Sequence, residues 1–140
     1  MTVDIISVGN LKEKYLREAV DEYEKRLGGY CTLRDLTFKS DADIPALLAP
    51  RAYKIALCIE GRELSSEALA DKLSRISLGG CSHIQFIIGG ADGIPESVKK
   101  SCDERMSFSP MTFPHQLMRV LLLEQIYRAF NINSGGKYHH

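Results

Sequence analysis

Residues 105–138 read RMSFSPMTFPHQLMRVLLLEQIYRAFNINSGGKY, and this segment contains the most apolar helix and the least usual turn of the chain. It predicts a short strand at 106–108, a turn at 109–112 and a helix from Pro114 to Phe130, because proline is tolerated in the first turn of a helix. Apolar side chains cover more than one face of that helix, whereas a surface helix has a single apolar stripe. We therefore expect burial by the sheet on one side and by a second copy of the chain on the other, as in a homodimer.

Glu124 and Arg128 interrupt the apolar pattern of this helix. They lie four residues apart, so they share a face of the helix and can form an ion pair. In the other interpretation, Arg128 is directed at a ligand or at an anionic polymer. The sequence leaves both interpretations open.

Strand-like and helix-like segments alternate through the rest of the chain. Such alternation is typical of an α/β domain with a mostly parallel sheet and helices on both faces. The length fits a single domain that spans residues 1–140. Gly28-Gly29 is expected to end the first helix in a left-handed conformation. The predicted strands are Val3–Val8, Cys31–Phe38, Lys54–Glu60 and His83–Ile88, and the predicted helices are Leu11–Leu27, a helix from the Ser65-Ser66-Glu67 cap to Ile76, and Pro95–Cys102.

Composition and charge narrow the function classes. The 18 Lys and Arg residues balance the 18 Asp and Glu residues, so the overall charge does not indicate nucleic-acid binding and any RNA site must be a local patch. The N-terminus lacks the basic region of a signal peptide, and no apolar run reaches membrane-spanning length. We expect a soluble, cytoplasmic protein without a membrane partner.

The four cysteines are dispersed, and neither a C-x-x-C pair nor a histidine lies at metal-ligand spacing from them. Two of them fall in strand-like runs where small apolar residues are common. We therefore expect reduced, structural thiols and no metal site. The cysteines are Cys31, Cys58, Cys81 and Cys102.

Three loops are the best candidates for a ligand site, because ligands of open α/β sheets bind beyond the carboxyl ends of the strands. They are 60–62, 89–93 and 108–113. The glycine cluster at 89–93 matches neither G-x-G-x-x-G nor a P-loop, so it is either a tight turn or a loop that approaches a nucleotide or cofactor.

Tyr138, His139 and His140 end the chain after a pair of glycines. The glycines predict a flexible hinge at 133–136, and chain ends are usually loose. Hydrogen-bond donors, an aromatic ring and titratable bases are nevertheless concentrated in these last residues. Either the tail is disordered or something holds it. From the residues alone, we infer a cofactor-binding α/β domain that forms dimers.

Two segments carry a resemblance to a known family: FIIGGADGIPESVKK at 86–100 and MSFSPMTFPHQLMRVLLLEQIYRAFNINSGGKYHH at 106–140. With the opening strand DIISVGNLKEKY, they resemble the RlmH family of ribosomal RNA large-subunit pseudouridine methyltransferases, which belongs to the SPOUT class. The resemblance extends over the whole chain. It implies a trefoil knot near the C-terminus and an active site formed by a dimer, although chains in general avoid knots.

The resemblance implies that S-adenosylmethionine donates a methyl group to N3 of a pseudouridine in 23S ribosomal RNA. Because a neutral domain gains little from counterion release, we expect the substrate to be the assembled ribosome rather than free RNA. The other interpretation is a catalytically idle dimer of the same fold that binds RNA or a nucleotide.

The resemblance also assigns site residues. Arg128 would hold a phosphate or a carbonyl of the base, and Tyr138 and His139 would bind or deprotonate the base. His140 stands where a basic residue is common in the family. A Gly89→Val replacement is expected to fill the ligand space and leave the fold intact. The cofactor would lie against Leu57, Gly89, Phe108, Ser109, Pro110, Met111, Thr112 and Phe113.

Overall fold

The computed structural model of the protein describes residues 1–139 and contains a five-stranded sheet with helices on both faces. His140 lies outside the described residues. The strands are β1 (Thr2–Val8), β2 (Thr32–Phe38), β3 (Tyr53–Glu63), β4 (His83–Ile88) and β5 (Glu104–Ser107), and the helices are α1 (Lys14–Leu27), α2 (Ile44–Leu47), α3 (Ser66–Leu78), α4 (Glu96–Ser101) and α5 (His115–Asn133).

The sheet has the order β2-β1-β4-β3-β5, and every strand pair in it is parallel. Side chains alternate across the strands. Val3 and Ile5 of β1 pack in the larger apolar cluster with α1, α3 and α5, while Ile6 packs in the smaller cluster with Ile44 of α2 and Val98 of α4. The α/β prediction with helices on both faces is therefore confirmed.

A buried carboxylate links three neighbouring strands. Asp4 of β1 is fully buried and accepts hydrogen bonds from Arg34 Nε of β2 at 2.7 Å and from Gln85 Nε2 of β4 at 2.9 Å. Its second oxygen also lies 2.6 Å from His83 Nε2. Burial by itself raises the pKa of Asp4, but the hydrogen bonds from Arg34, Gln85 and His83 lower it overall, so the carboxylate is charged and satisfied.

β3 contains an irregularity that shapes its carboxyl end. Both Leu57 and Arg62 pair with Met106 of β5, so residues 58–61 leave the ladder between them. A Cβ on Gly61 would lie 2.6 Å from the backbone nitrogen of Met106, which is why only glycine fits where the two strands meet again. The prediction that this strand ends at Glu60 was wrong, because pairing with β5 resumes after the bulge.

The long helix α5 extends beyond its predicted end to Asn133, where Asn133 Nδ2 donates to the carbonyl of Ala70 at 2.9 Å. Arg119 is buried on its inner side and pairs with Asp35 of β2. On the outer side, Leu117 remains 37% exposed. One side of α5 is thus covered by the rest of the chain and another is not.

Two smaller predictions have clear outcomes. The prediction that α1 ends in a left-handed conformation was wrong. Gly28 has φ −57°, and its N–H donates hydrogen bonds to the carbonyls of Glu24 and Lys25, so it adds a right-handed turn. The cysteines are free thiols, and burial raises the pKa of Cys31 to about 11 and raises that of Cys102. Within residues 1–139, no helix combines the length and apolar character needed to cross a membrane.

Candidate active site

A cavity of about 780 Å³ opens at the carboxyl ends of β3, β4 and β5. Its volume falls in the range of small-molecule sites. Seven of the eight residues predicted to hold a cofactor line it, and Pro110 does not. The three predicted loops are therefore brought together. The predicted residues that line the cavity are Leu57, Gly89, Phe108, Ser109, Met111, Thr112 and Phe113.

The glycine loop after β4 is a tight turn that also forms one wall of the cavity. Gly93 has φ +80° and its N–H bonds to the carbonyl of Gly90 at 3.0 Å. A Cβ on Gly89 would lie 2.7 Å from the backbone nitrogen of Ile94. The expectation that Gly89→Val would fill only ligand space was wrong, because the added side chain would first collide with the backbone of its own loop.

The loop after β5 is held by its own serine side chains. Ser107 Oγ accepts a hydrogen bond from the Ser109 amide at 3.2 Å, and Ser109 Oγ accepts one from the Met111 amide at 3.0 Å. Phe108 and Phe113 are half-buried and line the cavity, while Met111 is 73% exposed. The loop combines a fixed backbone with apolar walls, which suits a flat heterocycle or an aliphatic chain.

Sequence reasoning missed several lining residues. Cys58 belongs to the bulge of β3, which no sequence pattern predicted, and Glu60 of the predicted loop 60–62 lies in the same bulge. Glu60 pairs with Lys99 of α4, whose hydrogen bond lowers the pKa of the Glu60 carboxyl. Burial raises the pKa of Cys58, so its side chain remains a thiol. His115 and Met118, from the start of α5, complete the wall.

Arg128, Tyr138 and His139 form a second group, which we call the tail cluster together with Glu67 and Glu124. Arg128 Nη2 donates to Glu124 Oε1 at 3.0 Å, and the Tyr138 hydroxyl donates to the same oxygen at 2.7 Å. The guanidinium of Arg128 lies 4.8 Å from the centre of the Tyr138 ring. Of the two interpretations of Arg128, the structure shows the ion pair with Glu124, and the tail is folded back onto α5.

The fold-back is built by a short turn at 134–136. Gly135 has φ +76°, and the Gly136 amide donates to the Asn131 carbonyl at 2.9 Å. The Asn131 side chain is buried and accepts a hydrogen bond from the Tyr138 amide at 3.1 Å. The predicted flexible hinge was wrong, because the two glycines here allow a defined turn against Asn131.

Comparison with known proteins identifies the family. The sequence model of the family described as "Predicted SPOUT methyltransferase" matches residues 1–139. This chain belongs to the SPOUT methyltransferase family. It is also 48% identical, over 158 aligned positions that cover 99% of both chains, to the ribosomal RNA large subunit methyltransferase H of Bifidobacterium adolescentis.

Two solved structures share the fold of this SPOUT methyltransferase. A probable methylase family protein from Haemophilus influenzae matches with a TM-score of 0.63 over 99% of this chain and 70% of its own, at 11% identity. A probable methyltransferase from Bordetella pertussis matches with a TM-score of 0.64 over 91% of this chain and 93% of its own, also at 11% identity. The C-terminal knot stays a prediction.

The two groups of site residues lie at different ends of α5 in this SPOUT methyltransferase. Met118 lines the cavity, and Arg128 lies ten residues further along the helix. At 1.5 Å per residue, this spacing corresponds to about 15 Å along the axis. The predicted cofactor residues and the predicted catalytic residues are therefore not brought into one cavity by α5 alone.

The contacts of the tail cluster fix the proton positions of its side chains. An arginine has no acceptor, so His139 Nδ1, 2.9 Å from Arg128 Nη1, accepts the hydrogen bond, and Nε2 carries the proton toward Glu67 Oε1 at 2.6 Å. The hydrogen bond to Glu124 raises the pKa of Tyr138. In this SPOUT methyltransferase, the Tyr138 hydroxyl is thus a hydrogen-bond donor and His139 Nδ1 is an acceptor.

Proposed function

We propose that the protein transfers a methyl group from S-adenosylmethionine to N3 of a pseudouridine in 23S ribosomal RNA. The observation that carries the proposal is the full-length match to the ribosomal RNA large subunit methyltransferase H of B. adolescentis. The geometry supports it, since a cavity built of backbone and apolar walls lies at the carboxyl edge of the sheet. Work on ribosomes would place the protein in the cytoplasm.

The cavity fits the proposed cofactor. When bound, S-adenosylmethionine supplies a methyl carbon on a sulfonium, whose C–S bond breaks as N–CH₃ forms and leaves a neutral thioether. The rings of Phe108 and Phe113 and the backbone around Leu57 and Gly89 would hold the adenine and the aliphatic parts. The serine-held loop at 107–111 keeps these walls in place before binding, so little ordering is required.

The tail cluster would act on the base. N3 of the base must lose its proton to become nucleophilic, and His139 Nδ1 is the free-base nitrogen in the cluster. In this structure Arg128 Nη1 donates a hydrogen bond to that nitrogen. When Arg128 turns to a phosphate or a carbonyl of the RNA, Nδ1 is released to accept the proton, and Glu67 on Nε2 stabilises the imidazolium that forms. Tyr138 stays protonated and contributes a donor and a ring face.

A homodimer would bring the two groups together. The exposed Leu117 and the half-buried Leu121 form an apolar strip on α5, at helical i, i+4 spacing. Antiparallel packing along these strips would place the tail cluster of one protomer beside the cavity of its partner, across the distance that separates them in one chain. Sedimentation at micromolar concentration that shows only a 15.7 kDa species would contradict this arrangement.

The test is a labelled-methyl assay on ribosomes from a strain that lacks the modification. We expect incorporation from S-adenosylmethionine that is unchanged when the enzyme alone is treated with EDTA and then dialysed before the assay, because a sulfonium is electrophilic without a metal. Protein-free 23S RNA should be a far poorer acceptor, since this chain has no net charge with which to gain counterion-release free energy. Cofactor binding without any incorporation would instead support an idle RNA- or nucleotide-binding dimer.

A further inference from the structure

The wall of the cofactor cavity continues from one face of the sheet to the other. On one side, Phe108 and Met118 line the cavity and pack against the larger apolar cluster. On the other side, α4 packs into the smaller cluster through Val98, and the next residue, Lys99, lines the cavity. A molecule in the cavity therefore meets a different set of side chains at each side.

Opposite full charges lie together on the α4 side of the cavity. Among the lining residues within 1–139, Glu60 is the one with a carboxylate and Lys99 the one with an ammonium group, and the two are paired with each other. The wall also contains the Cys58 thiol and the His115 ring, and its other residues are neutral. We call Glu60 and Lys99 the charged pair.

The charged pair has hydrogen-bonding capacity that the chain itself does not use. The side chain of Lys99 is only 14% exposed, while that of Glu60 is 51% exposed. An ammonium group has three N–H donors, and among the hydrogen bonds of residues 1–139 Lys99 Nζ donates to Glu60 Oε1 alone. Because water reaches this ammonium group only partly, an anionic acceptor in the cavity would satisfy it better than solvent does.

Similar charges in the same stretch of chain lie outside the cavity. Arg105 Nη2 donates to Glu96 Oε1 at 2.7 Å, and neither residue lines the cavity. Lys100, which follows Lys99 on α4, is exposed and does not line it either. The charged pair is therefore distinguished by its position in the wall, and its neighbours supply controls of matched charge.

We propose that the charged pair binds the amino-acid end of S-adenosylmethionine, with Lys99 donating to the carboxylate and Glu60 accepting from the ammonium group. This assignment rests on the proposed methyltransferase function. An amino-acid zwitterion and an ion pair have complementary charges, so each of the four groups gains a second partner of opposite sign. The rings of Phe108 and Phe113 remain available to the adenine. The charged pair thus distinguishes the complete cofactor from adenosine derivatives that lack the amino-acid end.

Calorimetry with three thioether ligands tests the assignment without turnover. S-adenosylhomocysteine has both charged groups, S-adenosyl-3-thiopropylamine lacks the carboxylate, and 5′-methylthioadenosine lacks both. Lys99→Met keeps the aliphatic stem and should raise the Kd of S-adenosylhomocysteine roughly tenfold, the scale of a lost hydrogen bond between charged groups, without weakening the other two ligands. Glu60→Gln should weaken both ligands that carry the ammonium group and leave the Kd of 5′-methylthioadenosine unchanged.

The controls are Lys100→Met and Glu96→Gln, which remove the same charges outside the cavity wall and should leave all three affinities unchanged. An equal loss for all three ligands in the Lys99→Met protein overturns the proposal, because the charged pair would then only maintain the shape of the cavity. Unchanged affinity for S-adenosylhomocysteine in both variants of the pair overturns it as well. If the wild type binds none of the ligands, the proposed function and this assignment fail together. The expected pattern of affinities in a protein that transfers no methyl group would contradict the proposed function and support the assignment.

Discussion

Gly136 is the residue whose small size matters most for the position of the tail. A Cβ at this position would lie 2.5 Å from Asn131 Cγ. Asn131 has little freedom to move, because it is buried and its Nδ2 donates to the Tyr30 hydroxyl at 3.2 Å. A side chain at 136 would therefore push the tail away from the amide that holds Tyr138.

We predict that Gly136→Ala releases the Tyr138 amide from Asn131 and lowers its protection against hydrogen exchange by about 1 kcal/mol of local opening free energy. Methyl transfer should fall as well, while cofactor affinity stays the same. Gly29→Ala is the matched control, because a Cβ there meets no atom within 4 Å. An unchanged exchange rate at Tyr138 in the Gly136→Ala protein would show that the turn does not hold the tail.

Single residues also show where sequence reasoning stops. The sequence identified Tyr138 and His139 as unusual for a chain end, but not that Asn131 would hold them, because Asn131 has no signal of its own inside an apolar helix. The backbone conformations of the glycines were equally hard to predict from the sequence. Gly28 was expected to be left-handed and is not, whereas Gly80 has φ +95°. Which glycine of a pair takes positive φ depends on the contacts of the chain that follows.

At the scale of elements, β1 contains a buried charge, the Asp4 carboxylate, which links it to the neighbouring strands. Asp4 accepts hydrogen bonds from two adjacent strands, and its pKa is lowered despite its burial. A group whose folded pKa is depressed adds stability above its unfolded pKa, about 3.9 for Asp, and that stability is lost as pH falls through the folded value. The link between β1, β2 and β4 should therefore weaken in acid.

We predict that Asp4→Asn lowers the free energy of unfolding at pH 7 by about 2 kcal/mol, because it removes the charge of the buried carboxylate that accepts the Arg34 and Gln85 hydrogen bonds, while the half-exposed Arg34 is still solvated by water. Urea unfolding at several pH values measures this. The difference between wild type and variant should begin to shrink as pH falls below about 4, the pKa of Asp4 in the unfolded chain, and should disappear only below the lowered pKa of Asp4 in the folded protein. Asp21→Asn, at an exposed position of α1, is the control. A difference that persists unchanged at low pH would exclude the charge as its cause.

Two element boundaries followed a local signal in the sequence. The observed bounds of β4 are the predicted ones, and α3 begins at Ser66, directly after its N-cap residue Ser65. The bulge of β3 was missed because it depends on pairing with β5, more than forty positions later in the chain, and on the close approach of Gly61 to Met106. That bulge carries Cys58 into the cavity beside Glu60 of the predicted loop 60–62, so the missed bulge also explains a missed lining residue.

At the scale of the whole molecule, the alternation of strands and helices predicted the α/β class but not the strand order. The order β2-β1-β4-β3-β5 follows from which apolar faces fit together, and this information is distributed over the chain. The sequence did place three loops at one edge, and they do form one cavity. It did not show that the tail cluster would lie about 15 Å along α5 from that cavity. This separation is the main argument for the proposal that two protomers share each active site.

The central claim is that binding of the cofactor and chemistry on the base belong to separate groups of residues, the cavity and the tail cluster. The most direct measurement compares the wild type with a protein that ends at Lys137, and records methyl transfer to ribosomes, calorimetric affinity for S-adenosylmethionine and sedimentation mass. We predict that the shortened protein keeps the oligomeric state and the cofactor affinity of the wild type. The rate of methyl transfer should fall by roughly 10² or more, as expected for the loss of a general base. Transfer at the full-length rate by the shortened protein would contradict the account.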